Sequence, residues 1–367
     1  MLNLGVSLYS FQADQRIGLP LQEILKQCAE IGAVGIEMVP EQSIMDYQFE
    51  NADKDFVAQW KDWMAKYGLT PTNCNLYDDL WIYPHRPLTD RERLQKLQRG
   101  FRFARDMGFR SARVSVDYGY PDTKHLEDSV RIAEDYGVIA SLEIHSPYSL
   151  KSNWAQAWFN LIDRTGTKFA GIHPDGGIFD VAPRARAVAL ALEQGANPDI
   201  VAMIQEEYPK IVKRRYETAE QLQLAGDYRK TFGYGEEEII EKVKAMGGGR
   251  LEYSLIGRFS CDDPAWLIEY QKYIVHFHGK FYDMVPDADG DLVEPSINYP
   301  GIVEALVKMD YPFWISTEWE GMGQYDREGA APGSLGAEVT PTGKEFVGKF
   351  IKMIRKYEAQ ARAKLGK

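Results

Sequence analysis

A repeat of strand followed by helix constrains this chain more than any other feature of its sequence. Short apolar or β-branched runs fall near 5–10 (GVSLYS), 34–39 (VGIEMV), 69–76 (LTPTNCNL) and 111–117 (SARVSVD). Four more fall near 138–145 (VIASLEIH), 169–175 (FAGIHPD), 273–280 (YIVHFHGK) and 312–319 (PFWISTEW). Between them lie amphipathic stretches such as PLQEILKQCAEIGA, whose Leu21, Ile24, Leu25, Cys28 and Ile31 share one face before Gly32 ends the helix. RERLQKLQRGFRFARDMG stops in the same way at Gly108. Strands alternating with helices make parallel βαβ units, and eight such units close a barrel. The alternative is an open doubly wound sheet. That fold usually carries a glycine-rich phosphate turn after its first strand, and Ser7-Leu8-Tyr9-Ser10-Phe11 is not one. The expected fold is an α/β chain closed as a (β/α)8 TIM barrel, with residues 1–367 as a single domain.

One interval breaks the rhythm. Most strands follow one another by about 30–40 residues, but about 100 separate the sixth from the seventh. The excess, 182–255, holds helical text such as PDIVAMIQEEYPKIVKRRYETAEQLQ. It reads as a helical insertion on the face where the βα loops project, serving as a lid or a subunit contact. The closing segment, TPTGKEFVGKFIKMIRKYEAQARAK, reads as the last barrel helix with a solvated basic face.

Charge and composition narrow the partners. The chain carries 54 acidic against 43 basic side chains, a formal charge of −11, so its surface repels phosphate backbones and nucleic acid is not expected to bind. No apolar stretch approaches the ~18 residues that a membrane helix needs. The N-terminus lacks a basic segment leading into an apolar one, so no secretory signal is read there. Cys28, Cys74 and Cys261 fit no zinc or disulfide spacing and suit a reducing, cytoplasmic setting.

The informative pattern is a set of residues two apart at the ends of four consecutive strands. They are Glu143 and His145, His173 and Asp175, His276 and His278, and Glu318 and Glu320. Residues two apart on a strand face the same side, so each pair can point into the barrel mouth together. Of the six histidines in the chain, four sit in these pairs. Barrel interiors are otherwise packed with apolar side chains, so ionisable groups at the C-terminal strand ends read as catalytic. Carboxylates converging without a cation repel one another and bind protons more tightly. A divalent metal resolves that conflict, and a carboxylate and imidazole set favours Mn2+, then Mg2+, Co2+ or Zn2+. Any one of these residues alone could be a hydrogen-bonded structural group; all four strands doing so by chance is the weaker reading. Within each pair, one member is expected to bind metal while the other meets substrate or supports the ligand.

Other positions have lesser claims. Glu37, Asn75, Arg113 and Asp117 could line the pocket, although Arg113 and Asp117 could equally pair structurally. Tyr9, Phe11, Trp81, Trp154 and Trp319 could form the stacking walls of a sugar site, with ordinary core packing the equal alternative. His85 and His125 read as surface residues.

At these residues the sequence resembles the xylose-isomerase-like sugar isomerase/epimerase superfamily over nearly the whole chain outside 182–255. The resemblance implies a metal held by Glu143 of LEIH, Asp175 of GIHPDGG, His278 of HFHGKF and Glu318 of ISTEWEG. SLYSFQ, VPEQS (Val39–Ser43) and LEIHSP followed by PDGGIF are similar to the catalytic α subunit of bacterial C-glycoside deglycosidases. Those enzymes are metal-dependent lyases of 3-oxo-glucosides that pair with a small β subunit. The chain departs from the ketose-epimerase pattern at Ile178, where a histidine is common, and near Met284, where an arginine is expected.

The expected chemistry is removal of a proton beside a sugar carbonyl. Glu143 and Glu318 are implied as ligands and proton carriers, and His145 could be the base instead, because imidazole titrates near neutrality. His276, Glu320, His173, Lys280 and Glu37 are the expected substrate contacts. Reprotonation would give a ketose or sugar-phosphate isomerase or epimerase, whereas loss of a group from the next carbon would give a lyase. The rivals are an abasic-site endonuclease, which the charge and the lack of histidine on strands two to four oppose, and a non-catalytic sugar-binding barrel. A sugar or glycoside substrate, a small β subunit and a higher oligomer are the partners expected.

Overall fold

The structure is a computed structural model that describes residues 1–44, 54–76, 83, 85–114, 123–146, 148–224, 236–256, 261–321 and 342–367. Side chains are not described for 123–125, 215–224 and 236–237. The barrel strands are β1 (Asn3–Ser7), β2 (Gly35–Met38), β3 (Thr70–Leu76), β4 (Ser111–Val114), β5 (Ile139–Ile144), β6 (Ala170–Pro174) and β7 (Phe277–Phe281). A short antiparallel hairpin, β8 (Val285–Pro286) with β9 (Leu292–Val293), follows, and β10 (Trp314–Trp319) is the eighth barrel strand. The sheet order is β6-β5-β4-β3-β2-β1-β10-β7, with every pairing parallel. Parallel bridges from Ile172 to Ile274 and from Asp175 to His278 bring β6 to the β7 side and nearly close the ring.

The two faces of each strand differ sharply in chemistry. Leu4 and Val6, Ile36 and Met38, Ala112 and Val114, Leu142 and Ile144, and Phe277 and Phe281 are buried in the core shared with the surrounding helices. The opposite parity is polar almost throughout: Asn73 and Asn75, Ser111 and Arg113, Ser141 and Glu143, His276, His278 and Lys280, and Ser316 and Glu318, all buried. A (β/α)8 interior is usually filled with branched apolar residues, so this polar column marks the interior as a site rather than a plain core. At the opposite end Trp314 closes the floor against Gly35, where a Cβ would lie 2.5 Å from the Trp314 ring.

Local signals explain the helix ends. Thr89 and Glu92 form a reciprocal capping box at the start of Asp90–Met107, and Gly108, at φ 85°, ends it. The terminal helix Gly343–Leu365 lays Phe346, Phe350 and Ile354 on the barrel, with the Phe350 and Phe281 rings stacked at 4.4 Å. Its Glu358 accepts the Leu2 N–H at 2.7 Å, tying the last helix to the first strand.

The long interval between β6 and β7 contains Ala185–Glu193, Pro198–Leu224, Glu236–Ala245 and Arg250–Ile256, all helical. Val188, Ile200, Ile204, Ile239, Val243 and Leu255 form an apolar cluster there that is separate from the barrel core. No helix among the described residues is long and apolar enough to cross a membrane. The three cysteines are buried and no disulfide joins them.

Candidate metal centre and active site

Strand parity and the stagger of the barrel bring Glu143, Asp175, His278 and Glu318 together at the C-terminal end of the sheet. One ligand atom from each lies within 4.8 Å of all the others, and all four residues are buried. Asp175 follows β6, where its N–H donates to the Ile144 carbonyl. Its Oδ1 accepts the Gly177 N–H at 2.7 Å, and a Cβ at Gly177 would stand 2.9 Å from that oxygen. Oδ2 is left facing the centre, with the Lys280 ammonium at 3.0 Å. His278 Nδ1 lies 2.6 Å from Glu143 Oε1, 3.4 Å from Glu318 Oε2 and 3.9 Å from Asp175 Oδ2.

The electrostatics are those of crowded acids with too few cations. Burial and then the Glu318 and Glu143 carboxylates push Asp175 up to about 8, although Lys280 pulls the other way. Burial also opposes ionisation of Glu143, but Arg113, 2.5 Å away, and His278 outweigh it and hold Glu143 well below the usual range. Glu318 is lowered against burial by His278 and Lys280. The imidazole of His278 is raised well above its ordinary value, because Glu318, Glu37 and Glu143 together overcome its burial.

The residues fit a divalent metal on two observations. Glu318 Oε2 and His173 Nε2 are buried with no hydrogen-bond partner, an expensive arrangement unless another group meets them. The donor set of three carboxylates and one imidazole, with ligand atoms within 4.8 Å of one another, also matches the mixed oxygen and nitrogen donors that hold one divalent ion.

The remaining expected residues divide by depth. His145 stands at the mouth after β5, half-buried, with its Nδ1 2.6 Å from the Ser146 carbonyl. That contact puts the proton on Nδ1 and the basic lone pair on Nε2. Burial lowers its proton affinity, against the pull of Glu143, so the ring is neutral near pH 7. Tyr148 packs edge-on to His145 with ring centroids 6.3 Å apart, and Trp154 stacks on Tyr148 at 4.7 Å. Glu320 is 30% exposed and 3.2 Å from Lys280, so both stand where a ligand could reach them.

Glu37, His173 and His276 lie deeper than His145 and Glu320. Their exposures are 0%, 0% and 1%, and each is engaged with a neighbouring side chain below the quartet. Phe11 and Trp319 are likewise enclosed, with Trp319 packed on Phe346, so neither is a stacking wall. His85 is an exposed turn residue as expected. Trp81, Asp117 and the side chain of His125 lie outside the described residues.

Sequence reasoning passed over Asn73, Ser111, Ser141 and Ser316, which continue the polar column toward the floor. Extending each pair by two more residues (Ser141-Glu143-His145, Ser316-Glu318-Glu320) would have found two of the four. Arg184, whose guanidinium covers the Tyr282 ring at 3.7 Å beside the mouth, carries no local signal at all.

The fold is a TIM barrel, and a family model described as a xylose isomerase-like TIM barrel matches residues 25–203. Among curated proteins the chain is similar to a 3'-dehydrocarminate deglycosidase alpha subunit from a Microbacterium species. The two are 26% identical over 330 residues, spanning 87% of this chain and 88% of that protein. It is also 26% identical over 322 residues to a C-glycoside deglycosidase alpha subunit of Arthrobacter globiformis, spanning 87% and 85% respectively. A solved L-ribulose 3-epimerase superposes with a TM-score of 0.54 at 14% identity, covering 100% of this chain and 97% of that one. The chain is an enzyme with a TIM-barrel fold.

Proposed function

We propose that the chain is a divalent-metal-dependent sugar enzyme that removes a proton beside a sugar carbonyl and cleaves the C-glycosidic bond of 3-oxo-glucosides. The observation that carries this reading is the buried quartet of Glu143, Asp175, His278 and Glu318, joined to full-length similarity with deglycosidase alpha subunits. Those four residues would hold the ion, Mn2+ by preference over Mg2+, Co2+ or Zn2+. A bound metal would supply Lewis-acid polarisation of the carbonyl.

The chain's own groups do the rest. His145, neutral and at the mouth, takes the proton from the carbon next to the carbonyl through Nε2. The electron pair of that C–H bond becomes the new C=C bond as the bond to the aglycone carbon breaks. The aglycone leaves with that bond's electron pair and picks up a proton. Lys280 and Glu320 hold sugar hydroxyls, and the Tyr148 and Trp154 stack walls the His145 side. Arg113 keeps Glu143 ionised. A sugar isomerase or epimerase would use the same first step and then reprotonate the opposite face or the next carbon.

The relatives are named alpha subunits, which supports a small β partner for this chain as well. We further take 1–367 as one cytoplasmic barrel domain in which 182–255 serves as a lid or subunit contact. The test is an assay of 3-oxo-C-glucosides and free ketoses, with and without Mn2+ and candidate small partners. Cleavage of the glucosides that EDTA abolishes and Mn2+ restores is expected. EDTA-insensitive activity, or turnover of free ketoses alone, would overturn the proposal.

A further inference from the structure

Below the quartet, Glu37 of β2 has no exposed surface, yet it carries a carboxylate. A register shift between Ile36 and Glu37 sets it opposite Asn73 of β3. Ser111 Oγ donates to Asn73 Oδ1 at 2.7 Å, which turns the Asn73 amide nitrogen inward. That nitrogen donates to Asn75 Oδ1 at 2.8 Å and to Glu37 Oε2 at 3.2 Å. With its oxygen thus occupied, Asn75 presents its own nitrogen to Glu37 Oε1 at 2.9 Å. Donors therefore run one way, from a serine through two asparagines into a group that, when ionised, can only accept. The other neighbours of Oε2 are His276 Nε2 at 2.9 Å and His278 Nε2 at 2.8 Å.

An ionised carboxylate at that place keeps a proton on His278 Nε2, so a cation in the quartet would take the place of the proton that Nδ1 shares with Glu143 at 2.6 Å. The opposite nitrogen, Nδ1, is the one aimed at Glu143, Glu318 and Asp175. We propose that Glu37 is a positioning residue that holds His278 as the Nε2–H tautomer, so that the Nδ1 lone pair is the one offered to a divalent cation. The inference rests on the reading of the quartet as a metal centre. Without the carboxylate, a neutral His278 could carry its proton on Nδ1, pointing it into the centre and removing one ligand. A carboxylate behind a metal-bound imidazole also raises its basicity and fixes the ring plane, and losing one typically costs 10–100-fold in metal affinity.

Glu37, His276 and His278 could instead be read as ligands of a second ion. Both Glu37 oxygens already accept from Asn73 and Asn75, and His276 Nε2 also meets Ser316 Oγ at 2.9 Å, whereas the quartet keeps a buried Glu318 oxygen without a hydrogen-bond partner.

The test uses the full chain as wild type, Glu37→Gln and Ser111→Ala, each titrated calorimetrically with Mn2+ alone. The histidine tautomers are read by 15N–1H spectra of the Zn2+-loaded protein, with the His278 signals assigned by their loss in His278→Asn. The wild type is expected to bind one ion per chain and to show His278 protonated on Nε2. Glu37→Gln should weaken binding 10–100-fold at unchanged stoichiometry. Ser111→Ala, which frees the Asn73 amide to turn, should weaken it in the same direction but less, and it covers the case in which Glu37→Gln does not fold. Unchanged affinity and tautomer in the variants would overturn the role of Glu37, as would two ions per wild-type chain. A wild type that binds no divalent ion would instead overturn the metal centre itself, and the positioning role with it.

Discussion

Arg113 Nη1 lies 2.5 Å from Glu143 Oε2, across the β4 and β5 boundary, in a pair that solvent scarcely reaches. The other oxygen of Glu143 faces His278. One carboxylate thus has one oxygen committed to a fixed cation and the other turned to the centre. Removing one member of a buried pair leaves an uncompensated charge, at a cost of about 3–5 kcal/mol. Arg113→Met is therefore expected to lower stability strongly in EDTA and markedly less in saturating Mn2+, because the ion would neutralise Glu143. Paired denaturant melts in the two buffers measure this, and an equal loss in both would refute the coupling.

Glu318 offers a buried oxygen without a hydrogen-bond partner, and it faces the quartet. Glu318→Gln keeps the shape and removes the charge. It is expected to cut Mn2+ affinity by 10-fold or more and to abolish measurable turnover. Metal content by elemental analysis, set beside kcat, checks both; a variant with full metal and full kcat would show that Glu318 is structural.

His145 stands at the mouth with its Nδ1 on the Ser146 carbonyl, so its loss should separate chemistry from metal binding. His145→Gln is expected to lower kcat by 10^2–10^4-fold, the usual worth of a general base, with metal stoichiometry unchanged. A change confined to KM would make it a substrate contact instead.

Glu358 predicts a pH effect remote from the site. Burial opposes its ionisation, but the Leu2 N–H, Arg355 at 2.7 Å and Arg362 hold its carboxyl below the usual value. A carboxyl lowered in the folded state stabilises the fold above the unfolded pKa of about 4.3 and loses that contribution as pH falls through its folded value. Glu358→Gln should therefore cost about 1.5–3 kcal/mol at pH 7, the worth of hydrogen bonds to a charged group, with the difference shrinking below pH 4. Urea melts of both proteins at pH 7 and pH 3.5 decide it; a gap that persists at the lower pH would count against the charge as its source.

Much of the centre was legible before any coordinates. Period-two pairing placed Glu143, Asp175, His278 and Glu318 on the interior parity of four successive strands, and the strand and glycine signals located the eight units to within a few residues. Parity states which face a side chain takes and says nothing of how deep along the barrel it lies. Glu37 and His276 share the inward parity of Glu143 and His278 and so look like site residues in the text, yet they sit beneath the ligands with no surface. Depth is set by strand tilt and by the stagger of each strand against its neighbours, which is a property of the closed sheet. Trp319, read as stacking wall or core, is core for the complementary reason: it is adjacent to Glu318, and adjacency on a strand sends it to the opposite face, onto Phe346.

The sequence by itself determined the number of units, the parity of the polar column and the chemical kind of the centre, because alternation and residue type are local properties. Only the tertiary structure decided which of the inward residues meet at one point and which stand behind them. It also sent the Ser111, Asn73, Asn75 and Glu37 hydrogen bonds toward His278 Nε2 and left Nδ1 for the quartet. Those assignments depend on β2, β3, β4 and β7 coming into register around a ring, and no single strand contains that information.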